Sequence, residues 1–239
     1  MTFFVWNIAK EDKALCIRKI LIFAKNSSMD EDNKKFLIVG LGNAENQYAG
    51  TRHNIGFEVV NALAQKLSAT FQQERYAYVA HAKYKGRALT LIMPTTYMNL
   101  SGNAVRYWLD KEKIAPDSML VISDDLDLPL GTLRMKPKGS GGSHNGLNHI
   151  IETLGHSNFP RLRFGIGHDF AQGYQVDFVL GKFSSEELKT IEPAITKAVQ
   201  GIISFTTIGL SRTMNDINSW KLPTTETETE QSRDAACRV

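Results

Sequence analysis

Three short apolar runs in this chain each lead into a polar loop, and the loops carry residues suited to acid–base and carbonyl chemistry. The first run, Phe36 to Val39, is broken by Gly40 and Gly42 and followed by Asn43; His53 comes at the point where helical spacing begins. A neutral imidazole accepts a proton from water near neutral pH. A carboxylate on its other nitrogen fixes the tautomer and stabilises the imidazolium that forms. Asp124, the first carboxylate after the run Met119 to Ile122, is the candidate for that partner. The side-chain amides of Asn43 and Asn99 can donate to developing oxyanion charge or hold a substrate carbonyl. Taken singly, each residue has a plainer role: a surface histidine, a solvated acidic turn, turn-forming asparagines. It is their shared position after apolar runs that singles them out.

Those positions depend on the elements around them. After Phe36–Val39, the residues Phe57, Val60, Ala64 and Leu67 recur at helical spacing, so a helix is predicted from Ile55 to Leu67. Alternation over 76–84 and the run 87–93, with a turn at Lys85-Gly86, predict a hairpin. Pro94 ends its second strand; helices are expected over 101–111 and from the glycine-rich loop 139–146 to Leu154. A strand over 161–166, a long amphipathic helix through Leu188 and Ile202, and a shorter helix over 207–220 complete the pattern. This is an α/β chain: a single domain with a twisted mixed β-sheet flanked by α-helices. If the runs 36–39, 87–93 and 119–122 are parallel strands, Asn43, Asn99 and Asp124 share one sheet edge with His53. That is where open α/β sheets hold their ligands. Helix starts at Asn54 and Asn145 would aim backbone N–H groups at the same edge.

Net charge is +3 with a pI near 8.8, which permits a phosphate-bearing partner without demanding one. The only cysteines, Cys16 and Cys237, lie near opposite ends, which excludes a disulfide framework or thiolate metal site and suits a reducing cytoplasm. The apolar stretch Ala14–Ala24 is short for a membrane span and interrupted by Arg18 and Lys19. Residues 1–34 are therefore expected to be an extension outside the fold, with Met29 the expected functional start. Residues 35–222 form the expected domain, and 223–239, a Thr/Glu-rich segment, an expected disordered tail.

Several function classes are disfavoured. Gly40-x-Gly42 has Glu45 where a dinucleotide fingerprint needs glycine, and an acid there opposes a pyrophosphate. There is no phosphate-loop motif and no G-x-S-x-G nucleophile elbow. The histidines at 53, 81, 144, 149, 156 and 168 have no zinc spacing, so no metal is expected. Arg134, Lys136, Lys138, Arg161 and Arg163 form the densest basic set, and beside a glycine-rich loop phosphate contact is expected of them. Tyr48 and Tyr97 stand in the polar loops, where they can stack on a base or pack on a peptide.

Six segments, IVGLGNAENQYAGTRHNIGF, PTTYMNLSG, DDLDLPLGTLRMK, GGSHNGL, RLRFGIG and DFVLGKF, occur in an order and spacing that resemble bacterial peptidyl-tRNA hydrolases. The resemblance spans about Phe36 to Phe183 and the helical remainder agrees. It implies a monomeric, cofactor-free enzyme that hydrolyses the ester between an N-blocked peptide and the terminal ribose of tRNA, recycling tRNA from prematurely released peptidyl-tRNA. On this resemblance His53 is the general base, Asp124 keeps it basic, and Asn43 reads the first peptide unit. Tyr48, Tyr97, Asn99 and Asn145 line the groove for the peptide and the tRNA 3′ end, while Lys136 and Arg163 meet phosphate. The chain departs from the pattern at Ala44-Glu45, where Pro-Gly is usual, at Ser123, where histidine or a similar residue precedes the aspartate, and at Ser143, where glycine is common. The first departure implies a less rigid turn with an added charge. The rival class is an RNA-binding scaffold of the same fold, from which retention of Asn43, His53, Asn99, Asp124 and Asn145 distinguishes this chain. A dehydrogenase or small-molecule hydrolase would need a cofactor loop that the sequence lacks.

Overall fold

The strand Lys35–Gly40 (β1) is apolar at successive positions because both its faces are covered. Phe36 and Ile38 pack into one cluster with Ile55, Val60 and Leu63; Leu37 and Val39 pack into a second, on the other face, with Val105, Trp108 and Ile150. A computed structural model describes residues 34–223 and makes β1 the central strand of one seven-stranded sheet. The expected extension and tail lie outside the described residues, apart from Lys34 and Pro223.

The remaining strands are β2 (Gln72–Glu74), β3 (Ala77–Tyr84), β4 (Arg87–Pro94), β5 (Met119–Asp125), β6 (Leu133–Lys136) and β7 (Arg161–Gly165), in the order β2-β3-β4-β1-β5-β7-β6. β1 is parallel to β4 and to β5, and β5 is parallel to β7; the other pairs are antiparallel. The mixed sheet and the common edge expected for the three loops are therefore present. The β3–β4 hairpin turns at Lys85 and Gly86, both at positive φ, as a twisted two-residue connection requires.

Helices α1 (Ile55–Lys66), α5 (Ser185–Ile208) and α6 (Leu210–Ser219) cover one face, and α2 (Ser101–Glu112) and α3 (Asn145–Leu154) the other. A sixth, α4 (Gln175–Leu180), has no buried residue, which is why apolar periodicity missed it. The long helix starts earlier than Leu188 because Ser184 and Glu187 form a reciprocal capping box. It runs to Ile208 and breaks at Gly209, at φ 83°, instead of starting a new helix at Thr207. The Gly40 motif also has a packing reason. A Cβ on Gly40 would lie 2.4 Å from the Gly56 carbonyl oxygen, so β1 and the start of α1 meet backbone to backbone. This contact holds the turn before α1 against the end of β1. No helix among the described residues is long and apolar enough to cross a membrane.

Candidate active site

His53 sits in the one-turn 3-10 segment Arg52–Asn54 that leads into α1, and Asp124 on the last residues of β5. His53 Nδ1 lies 2.8 Å from Asp124 Oδ1. Donation of the Nδ1 proton to that carboxylate leaves the Nε2 lone pair free. Both residues line a cavity of about 400 Å³ at the carboxyl ends of the parallel strands.

A second histidine, which sequence reasoning did not select, completes the cluster. His144 is the N-cap of α3, and its Nδ1 accepts hydrogen bonds from the N–H groups of Gly146 and Leu147. Its proton must then be on Nε2, which lies 3.0 Å from the same Asp124 oxygen. One carboxylate oxygen thus receives two imidazole donors whose rings are 5.0 Å apart. Asp124 is 5% exposed. Burial alone would raise its pKa, but the two histidines, His144 first, outweigh burial and hold the carboxyl well below its usual range. For His53, burial opposes the proton, and the bond to Asp124 with its charge overcomes that and raises the pKa. The base is therefore strengthened.

Among the described residues, His53, Asp124 and His144 are also the one set of metal-ligating side chains whose donor atoms converge, all within 4.8 Å. Their protons and lone pairs are already matched: each ring presents an N–H to Asp124, and the remaining nitrogen of His144 caps a helix.

The loop carrying Asn43 is pinned from the same turn. Asn54, 3% exposed, accepts from the Asn43 N–H at 2.8 Å and donates to the Asn43 carbonyl at 3.0 Å. This two-way clamp holds the Asn43 backbone at the turn, just before Ala44-Glu45. Arg52 fastens the other side. Its guanidinium binds Glu187 through both carboxylate oxygens at 2.9 Å and donates to the Lys182 carbonyl, while its N–H donates to Gly181. The segment leading from α4 into α5 is thereby tied to the turn that bears His53.

Asn43, Lys136, Asn145 and Arg163 line the same cavity as His53 and Asp124. Tyr97, 68% exposed, lines a neighbouring cavity of about 310 Å³ that shares Asn43. Asn99 is exposed, Tyr48 is partly buried, and neither lines either cavity; in the turn Met98–Leu100 it is Met98 that faces His53's cavity. The basic set divides. Arg134 donates to the carbonyls of Leu133 and Asn218, and Arg163 pairs with Asp125. Arg161, 1% exposed, bonds the carbonyls of Ser140 and Ser157 and stacks on Phe159. Burial, with the neighbouring charge of Arg163, pushes its pKa down to about 10. Lys136 and Lys138 stay exposed. The expected N–H groups are in part engaged: at the start of α3 those of Gly146 and Leu147 are bonded to His144 Nδ1, and that of Asn54 to the Thr51 carbonyl.

Residues 37–226 match the family model described as peptidyl-tRNA hydrolase. A peptidyl-tRNA hydrolase of Cytophaga hutchinsonii is 54% identical over 187 residues, covering 78% of this chain and all of the relative. That of Porphyromonas gingivalis is 54% identical over 185 residues, covering 77% of this chain and 100% of the relative. The crystal structure of peptidyl-tRNA hydrolase from Acinetobacter baumannii matches with a TM-score of 0.74 at 37% identity, over 78% of this chain and 95% of that one.

Proposed function

Because the chain belongs to the peptidyl-tRNA hydrolase family, a family of carboxylic ester hydrolases, we propose that His53 is the general base of that hydrolysis. The observation that carries the proposal is the His53 Nδ1–Asp124 Oδ1 bond, which turns Nε2 toward a cavity with the asparagine amides beside it. A water held at Nε2 loses its proton to the imidazole as its oxygen attacks the ester carbonyl carbon. Asp124 stabilises the imidazolium formed, and His144 holds Asp124 in place. The carbonyl oxygen takes up negative charge within reach of the Asn43 and Asn145 side chains, which line the cavity. Collapse of the tetrahedral intermediate breaks the bond to the ribose oxygen, and the proton on Nε2 passes to that oxygen. No covalent enzyme intermediate and no cofactor is needed.

Lys136 at the open basic side meets tRNA phosphate, with Arg163 joining where its bond to Asp125 is exchanged. Tyr97, Asn99 and Tyr48, beyond the main cavity, contact the peptide and the tRNA 3′ end. The enzyme acts as a cytoplasmic monomer on this reading. Release of a labelled N-acetyl-aminoacyl group from tRNA, with free aminoacyl-tRNA as control, tests it. Hydrolysis of the blocked ester is expected, and His53→Ala is expected to lower kcat by about 10²–10⁴-fold with tRNA binding retained. Salt-sensitive RNA binding without hydrolysis by the wild type would point instead to a scaffold.

A further inference from the structure

The order of strands spreads the loops of the active edge across the sheet. Lys136 and Arg163 come from β6 and β7, His53 and Asp124 stand over β1 and β5, and Glu45 and Tyr97 belong to the loops after β1 and β4. Lys136 and Arg163, together with Asp125 and Asp127, line the cavity of His53, whereas Glu45 lines the smaller one. The smaller cavity, about 310 Å³, is walled by Glu45, Thr95, Tyr97 and Leu100, and Glu45 is its one charged residue. Asn43 lines both cavities, so a ligand that meets Asn43 beside His53 continues into the smaller one. Glu45 is exposed and precedes the turn Asn46–Tyr48 without capping it, so its carboxylate is not committed to the backbone there. Tyr97 and Leu100 supply exposed apolar surface beside it.

We propose that this cavity is a subsite for the side chain of the peptide residue preceding the esterified one, and that Glu45 makes it favour a cationic side chain with an aliphatic stem. The proposal rests on His53 being the hydrolytic centre. The nucleotide end, rich in phosphate, is drawn to the Lys136 side, which leaves the peptide to cross Asn43 toward Glu45. A lysine there lays its methylenes on Tyr97 and Leu100 and brings its ammonium to the carboxylate. An acidic side chain at the same place meets like charge.

The test compares kcat/KM for tRNA esterified with N-acetyl-Lys-Phe, N-acetyl-Glu-Phe and N-acetyl-Phe, using wild type and Glu45→Gln at low and high salt. The wild type is expected to favour the lysine substrate over the glutamate one by about two- to fivefold, chiefly through KM, the size of an exposed ion-pair effect. Salt should shrink the preference, and Glu45→Gln should abolish it. Each ratio is taken within one enzyme, so a general loss of turnover cancels. Equal rates in the wild type, or a preference that Glu45→Gln leaves intact, overturns the subsite. Failure of the wild type to cleave N-acetyl-Phe-tRNA overturns the hydrolytic reading itself.

Discussion

The cluster around Asp124 and the rim around Tyr97 and Lys136 stand on the same edge of the sheet, yet they are built in opposite ways. In the cluster, one buried carboxylate oxygen receives two imidazoles, and the Asn43 backbone is clamped at both its N–H and its carbonyl by Asn54. On the rim, Tyr97 and Lys136 are exposed. Groups that move a proton must hold their geometry before substrate arrives, because reorganisation during reaction raises the barrier. Groups that recognise a long, flexible substrate can be left solvated and find their partners on binding. Substitutions in the cluster should therefore change kcat and its pH dependence, while those on the rim should change KM and its response to salt.

After removal of His53 itself, the largest effect expected is from Asp124→Asn. It keeps the shape and removes the charge, and the loss of one close opposite charge corresponds to about a ten- to hundredfold fall in kcat/KM. The pH profile sharpens the point. Asp124 raises the His53 pKa, and His53 must be neutral to act as base, so the acid limb of kcat/KM in the wild type lies above the ordinary histidine value near ~6.5. In Asp124→Asn that limb should move to lower pH. An unmoved limb would mean that the titrating base is another group. Lys136→Ala comes next: kcat should hold, KM should rise at low salt, and the slope of log affinity against log salt should lessen by about one. If kcat fell while the salt slope stayed unchanged, Lys136 would belong with the cluster and the division would fail.

The smallest effect expected separates the reacting groups from a mere neighbour. Ser123 is fully buried beside Asp124, and its hydroxyl has no hydrogen-bond partner. Ser123→Ala removes that unsatisfied group and should raise stability by about 1 kcal/mol in denaturant unfolding, with little change in turnover. A marked loss of activity would show that the hydroxyl serves the site.

Local pattern was enough to find the sheet, most helices, and the loops bearing His53, Asp124 and Asn43, because apolar runs and their glycine breaks are written in adjacent residues. It missed α4, a six-residue helix with no fully buried residue and so too short an apolar stripe to read. It also passed over His144, whose place before Asn145 looks like an ordinary helix cap, and a cap it is; its second bond reaches back 20 residues to Asp124. The basic residues looked alike in sequence. Only packing made Arg161 a buried strut and left Lys136 in solvent.

By itself, then, the sequence determined which residue types stand at the ends of which strands, and its six motifs already carried the family resemblance. The tertiary structure decided which of those residues meet. His53 and Asp124 are 71 residues apart and Arg52 and Glu187 are 135 apart. Such contacts depend on strand order and on the close approach of Gly40 to Gly56, which bring distant loops to one edge. A hydrogen bond needs placement to within a few tenths of an ångström, and no local periodicity encodes that.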